Sequence, residues 1–276
     1  CGISGMNAAI SQPSTTSQLA SVTFISADSV RRSPLRSGAG SAAVNAVRPG
    51  VTMADLDQIA TSVIEQAGGS PSVRGYRSGA SIPFPATLCI SRNEEVVHGI
   101  GTRKIKLEDG DIVGLDIGCW YEGLCTDMAV TVPVGKITPA HLALLATTRA
   151  ALRAGVTAAT IGNNINHIGV AVSALAENYG VVRSLVGHGV GHAVHEPPNV
   201  PNYPTSAGTK IPLKAGMCLA LEPMFTLGTS EVTLGPDGWS ILTKDQSWSA
   251  HFEVTIAITP DGPLLITPEP VVPGLD

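Results

Sequence analysis

The second half of this chain repeats the plan of the first, and that repeat constrains the fold more than any other feature. AAVNAVRPGVTMADLDQIATSVIEQAG, from Ala42 to Gly68, reads as a helix, a Pro-Gly break and an amphipathic helix. RAALRAGVTAATIGNNINHIGVAVSALAENYG, from Arg149 to Gly180, reads the same way. Both share a Gly-Val-Thr junction, at Gly50–Thr52 and Gly155–Thr157. After each junction apolar residues recur at helical spacing: Leu56, Ile59, Val63 and Ile64 in one half, Ile161, Ile165, Ile168 and Val172 in the other. Strands follow in both. LEDGDIVGLD, ending on Asp116, lines up with LKAGMCLALE, ending on Glu222. A later strand in each half opens on an acid, at Asp127 in DMAVTV and at Glu253 in EVTIAI.

Each half thus contributes two carboxylates to apolar strands. An isolated buried carboxylate is too costly to keep charged, so it either protonates or finds a cation. Two pairs brought together across a pseudo-two-fold axis make a site for divalent metal. Asp116 and Asp127 flank a turn near Glu122-Gly123, which predicts that they sit roughly opposite each other in a hairpin.

Composition removes other classes of function. Charged residues make up 14% of the chain and the net charge is −5, which argues against nucleic acid or an anionic membrane as partner. No apolar run approaches the roughly 18 residues of a membrane span. The five cysteines (Cys1, Cys89, Cys119, Cys125 and Cys218) are odd in number and form no CxxC, as expected of reduced thiols in a cytosol. Residues 1–20, rich in Ser, Thr, Gly and Ala, read as a flexible extension, the part ahead of Met6 an appended remnant. Residues 21–276 read as a single domain.

Between the acid pairs lies GHGVGHAVHEPP, Gly187 to Pro198, and an earlier NEEVVHGI places His98 beside a glycine. An imidazole among four carboxylates suits Mn, Fe, Co or Zn better than Mg or Ca. LDIG, TDMA, GHGVGHAVHEPP, LEPM and HFEVTIAIT, in this order, resemble the methionine aminopeptidases of the pita-bread metallopeptidase fold, over roughly Thr23 to Thr267. The short stretch from His195 to Glu222 resembles the type I enzymes, and with no cysteine-rich segment ahead of the domain a bacterial or organellar form is expected.

The resemblance implies an α+β fold of two pseudo-symmetric helix–helix–strand halves around a curved antiparallel sheet. It implies two divalent ions per chain, held by Asp116, Asp127, His188, Glu222 and Glu253, with Asp127 and Glu253 bridging. Glu222 would also accept a proton from the attacking water, and His98 and His195 would bind the scissile amide and stabilise its tetrahedral intermediate. Phe84, Cys89, Val194 and Trp239 would surround the methionine side chain. The expected activity is removal of the initiator methionine from nascent proteins, by a cytoplasmic monomer working near the ribosome. The alternatives are a proline-directed peptidase resembling prolidase or aminopeptidase P, and a non-catalytic binding module on the same fold.

Three positions depart from the usual type I pattern. Val254-Thr255 follows Glu253 where His-Thr is common, His251 stands where Gln is common, and Val194 stands where an aromatic is common. His251 alternates onto the face of Glu253 and could reach the metal site. His141 and His167 read as ordinary surface or core histidines on helices, His192 as either a support behind the metal site or solvent-facing, and Cys119 and Cys125 as packing residues.

Overall fold

The computed structural model describes residues 38–77, 82–269 and 271–275; the expected extension at 1–20 lies outside them. Helix α1 (Ala39–Ala46) is followed by α2 (Met53–Gln66). Thr52 caps α2 reciprocally, its hydroxyl accepting from Asp55 N while Asp55 Oδ2 accepts from Thr52 N. The face of α2 carrying Met53, Leu56, Ala60 and Ile64 is buried. In the second half come α3 (Pro139–Ala158) and α4 (Ile165–Ser173). His167 turns out to be a cap residue: Asn164 N donates to its Nδ1 at 3.1 Å. No helix among the described residues is long and apolar enough to cross a membrane.

The repeat is imperfect where the helices begin. Gly155–Thr157 does not break the chain as Gly50–Thr52 does, because it lies inside the continuous helix α3. Gly50 has a positive φ of 88°, whereas Gly155 is needed for lack of bulk. A Cβ at Gly155 would come within 2.8 Å of Val172 on α4, so the glycine lets the two helices pack closely. Ile161 likewise falls outside α4 and is 49% exposed, while Ile165, Ile168 and Val172 are buried as expected.

Among the described residues the main sheet has nine strands, and its ladders are antiparallel. The first half contributes Cys89–Arg92, which pairs with Ile112–Tyr121, which pairs with Leu124–Pro133. The second half contributes Gly187–Gly189, which pairs with Cys218–Leu221, which pairs with Glu253–Thr259. The halves join where Glu253 and Val254 pair with Ala129 and Met128. The sheet therefore carries the two-fold order read from the sequence, with the Asp127 and Glu253 strands innermost.

Strand alternation separates the core from the acids by a single residue. Leu115, Ile117, Met128, Val130, Leu219, Leu221, Val254 and Ile256 join one apolar cluster with Leu56 and Ile64 of α2, Leu144 and Leu152 of α3, and Ile168 of α4. Asp116, Asp127 and Glu253 occupy alternate positions and project from the other face. In the hairpin, Glu122 and Gly123 both take positive φ, as a two-residue turn between twisted strands requires. Asp116 pairs with Ala129 and Asp127 with Gly118, so the two acids are diagonal neighbours on one face. They are roughly opposite, as expected, but this turn sets the register two residues away from direct pairing.

Candidate metal centre and its cavity

The strands hold the acids rigidly. Asp127 N donates to Thr255 Oγ1 at 2.9 Å, and that hydroxyl donates back to Asp127 O at 2.7 Å, which clamps the two inner strands together. Asp116 lies directly across the ladder from Cys89, whose thiol faces the acids. Burial and the surrounding acids push that thiol well up, so it stays a donor. Glu222 follows the strand Cys218–Leu221, and Asn202 Nδ2 donates to its backbone carbonyl at 3.0 Å. Asp127, His188 and Glu253 are buried and offer donor atoms within 4.8 Å of one another, and so do Glu222, His251 and Glu253. Glu253 Oε1 is buried with no hydrogen-bond partner among the described residues.

His188 has its proton placed by the backbone. Its Nδ1 donates to the carbonyl of Gly189 at 2.8 Å, which leaves Nε2 as a lone pair 3.8 Å from Glu222 Oε1. Burial lowers the His188 pKa to about 3 and that of His251 to about 3, so both rings are neutral near pH 7. The carboxylates move the other way. Burial raises Asp116 to about 7, and burial followed by mutual repulsion puts Asp127, Glu222 and Glu253 well above the ordinary range. Four acids pressed together, a neutral imidazole and an orphaned carboxylate oxygen form a donor set that fits divalent cations.

These shifts fix how stability depends on pH when metal is stripped. A carboxylate with a raised pKa holds its proton in the folded protein after the unfolded chain has lost it, so stability falls as pH rises through the folded value. The depressed histidines act oppositely, but only below about pH 6.5, where an unfolded imidazole takes up a proton. From about pH 6.5 to 8 the acids dominate, and chelator-treated protein should lose thermal stability as pH rises. Metal-loaded protein should show a flatter profile, because bound cations keep the acids ionised. Parallel melting curves against pH for the two forms would contradict the clustering of charge at this site.

The acids open onto a cavity of about 520 Å³. The four side chains expected around a methionine, Phe84, Cys89, Val194 and Trp239, line it together with His98 and His195. Phe84 meets Trp239 edge to face with ring centres 5.2 Å apart, and Trp239 Nε1 donates to the carbonyl of Ile82, so one wall is apolar and fixed. Val194 belongs to a different apolar group, with Cys125, Val190 and Ala220, that meets the first through Tyr76. His98 holds a left-handed backbone, φ 60°, at the end of the strand Glu95–Val97. Desolvation, reinforced by His195, lowers its pKa to about 4. The His195 ring lies 4.4 Å from that of His188.

Comparison with known proteins decides the family. The profile of metallopeptidase family M24 matches residues 37–260. The chain belongs to this family. It is 42% identical to the methionine aminopeptidase of Aquifex aeolicus over 225 residues, 80% of this chain and 87% of that one. It is 44% identical to the methionine aminopeptidase of Treponema pallidum over 67% of this chain and 72% of that one. The solved structure of methionine aminopeptidase from Rickettsia prowazekii superposes with a TM-score of 0.84 at 31% identity, covering 90% of this chain and all of the other. The fold is accordingly the pita-bread arrangement, and as a family M24 metallopeptidase the protein binds divalent metal at a site this cage fits.

The structure also adds partners that sequence reading missed. Tyr76 Oη lies 2.8 Å from His195 Nδ1, across 119 residues of chain. Tyr76 sits in a turn with no periodic pattern, so only its aromatic character marked it. Thr131 fixes His251 from both sides, accepting from its backbone N at 2.9 Å and donating to its carbonyl at 2.9 Å. His141 stacks on Trp248 at 3.9 Å, His192 is exposed, and Cys119 and Cys125 are buried among apolar neighbours.

Proposed function

We propose that the protein removes N-terminal methionine from peptides by hydrolysis at a dinuclear metal centre. The observation that carries this reading is the convergence of Asp116, Asp127, His188, Glu222 and Glu253 on one cavity that Phe84, Cys89 and Trp239 also line. Asp116, Asp127, His188, Glu222 and Glu253 would hold divalent ions there, which would supply Lewis acidity toward the scissile carbonyl and the attacking water. Asp127 and Glu253, on the paired inner strands, would be shared between the two positions, and Asp116, His188 and Glu222 would complete the set. Glu222, just past the strand Cys218–Leu221 and facing the cavity, would accept the water's proton. His98 and His195 donate to the carbonyl oxygen as charge develops and steady the leaving amine. The apolar wall receives the thioether.

The substrate is the N-terminal Met of nascent chains, met near the ribosome in the cytoplasm by a monomer. The free, buried state of Cys89, Cys125 and Cys218 suits such a reducing compartment. Hydrolysis of Met-Ala-Ser and Ala-Pro peptides by chelated protein, with Mn, Fe, Co and Zn restored in turn, tests the reading. Met-Ala-Ser should be cleaved only with metal. Faster cleavage of Ala-Pro would favour a proline-directed enzyme, and no cleavage with any metal a binding module.

Val194 tests the pocket. It is 5% exposed and occupies a position where a larger ring would narrow the slot. Val194→Phe should sharpen discrimination between Met- and norleucine-initiated peptides, raising the ratio of their kcat/KM values by roughly tenfold, as one added contact can. An unchanged ratio would remove Val194 from the pocket.

A further inference from the structure

Two buried polar atoms without a hydrogen-bond partner among the described residues meet at one place: His251 Nε2 and Glu253 Oε1. Both residues belong to the triad Glu222, His251 and Glu253, whose donor atoms all lie within 4.8 Å of one another. That is the same closeness found for Asp127, His188 and Glu253, and Glu253 is common to the two groups. We propose that His251 is a metal ligand, so that each of the two positions carries one imidazole, His188 at one and His251 at the other. The inference rests on the dinuclear reading above.

The spacing favours a ligand over a hydrogen bond. A charge-assisted bond from an imidazole N–H to a carboxylate closes to about 2.7–2.9 Å, whereas His251 Nε2 stands 3.5 Å from Glu222 Oε2. Metal bonds of about 2.1 Å at tetrahedral or octahedral angles put two donors about 2.9–3.4 Å apart, close to the separation seen. The ring is also held in place by the sheet. Thr131 grips the His251 backbone at both N–H and C=O, and Met224 lies opposite in the short ladder with Met224–Thr226. With Phe252 fully buried next in sequence, the imidazole has little freedom to turn to solvent.

A second nitrogen changes what the centre prefers. Imidazole suits Fe, Co and Zn, while an all-oxygen position suits Mn or Mg. His251→Gln should therefore weaken zinc at one of the two positions by more than the roughly 10–100-fold that losing a group merely supporting a ligand costs, and weaken manganese less. The direct test is nitrogen NMR of zinc-loaded protein labelled with 15N-histidine. Two imidazoles, His188 and His251, should show an unprotonated Nε2 with a zinc-bound shift, and His251→Gln should remove one and keep the other. A proton found on His251 Nε2 in the zinc-loaded protein, with His188 alone metal-bound, overturns the proposal and leaves the dinuclear reading intact. Absence of zinc-bound shifts from both rings sinks the metal reading itself. If His251→Gln does not fold, His188→Asn assigns the pair from the other side, and the surviving zinc-bound signal must then be that of His251.

Discussion

Glu253→Gln should abolish turnover and prevent metal loading, while the metal-stripped variant melts at a higher temperature than metal-stripped parent. The first two effects follow from geometry. Glu253 opens the inner strand of the second half, pairs across to Ala129 two residues from Asp127, and belongs to both candidate ligand groups. An amide keeps the shape but loses the charge that two cations would share. The gain in stability comes from the electrostatics of the empty cage. Asp116, Asp127 and Glu222 each add to the repulsion that raises the Glu253 carboxyl, and an amide there relieves it. Parent protein should regain stability as metal is added, because a ligand that binds only the folded state stabilises it in proportion to the logarithm of its concentration over Kd. The variant should show little of that rise. Elemental analysis, a peptide assay and melting curves with and without metal check all three. Two metals per chain together with near-normal turnover would remove Glu253 from the cage. Asp127→Ala should behave alike in activity and metal content, being the symmetry mate on the other inner strand.

That symmetry explains why so much of the centre was legible in the sequence. Asp116 and Asp127 lie inside the longer strands Ile112–Tyr121 and Leu124–Pro133, not at their ends as expected, yet these strands and those of Glu222 and Glu253 occupy equivalent places in the sheet, Asp127 and Glu253 on the paired central strands. Period-two alternation then put all four opposite the Leu and Val core. Less legible was anything set by turn geometry or by contacts distant in sequence. The Glu122-Gly123 turn fixes a register that makes Asp116 and Asp127 diagonal, and a composition-based reading of a turn does not count residues that finely. The Gly-Val-Thr repeat suggested equivalent breaks, yet Gly155 serves helix packing against Val172 while Gly50 serves a turn. One residue type answers two demands, and only the fold says which. Thr255 and Thr131 were silent for a similar reason. A strand threonine is ordinary, and their value lies in hydrogen bonds to Asp127 and His251 more than 100 residues away.

Removing His195 should slow the reaction by roughly 10²–10³ and leave metal content unchanged, the cost of losing one transition-state donor. The structure gives His195 a place beside the metal-facing His188 ring, 4.4 Å between centres, and a hydrogen-bond partner that determines what it can do. Tyr76 Oη is 2.8 Å from His195 Nδ1. Desolvation raises the Tyr76 pKa, so the phenol keeps its proton and can donate it to Nδ1. A ring that accepts at Nδ1 carries its own proton on Nε2, where it becomes a donor to a developing oxyanion. On this reading Tyr76 would act through His195. Tyr76→Phe should cost less than His195→Ala, roughly tenfold in kcat, and should shift the pH profile of kcat, because the ring loses the partner that selects its tautomer. The double variant should be no slower than His195→Ala alone, since a residue that works through another has nothing left to add once the other is gone. Kinetics of Met-Ala-Ser hydrolysis for the three variants, with metal measured on each, decide the case. Loss of metal from His195→Ala would make His195 a ligand, and additive losses in the double variant would place Tyr76 directly on the substrate.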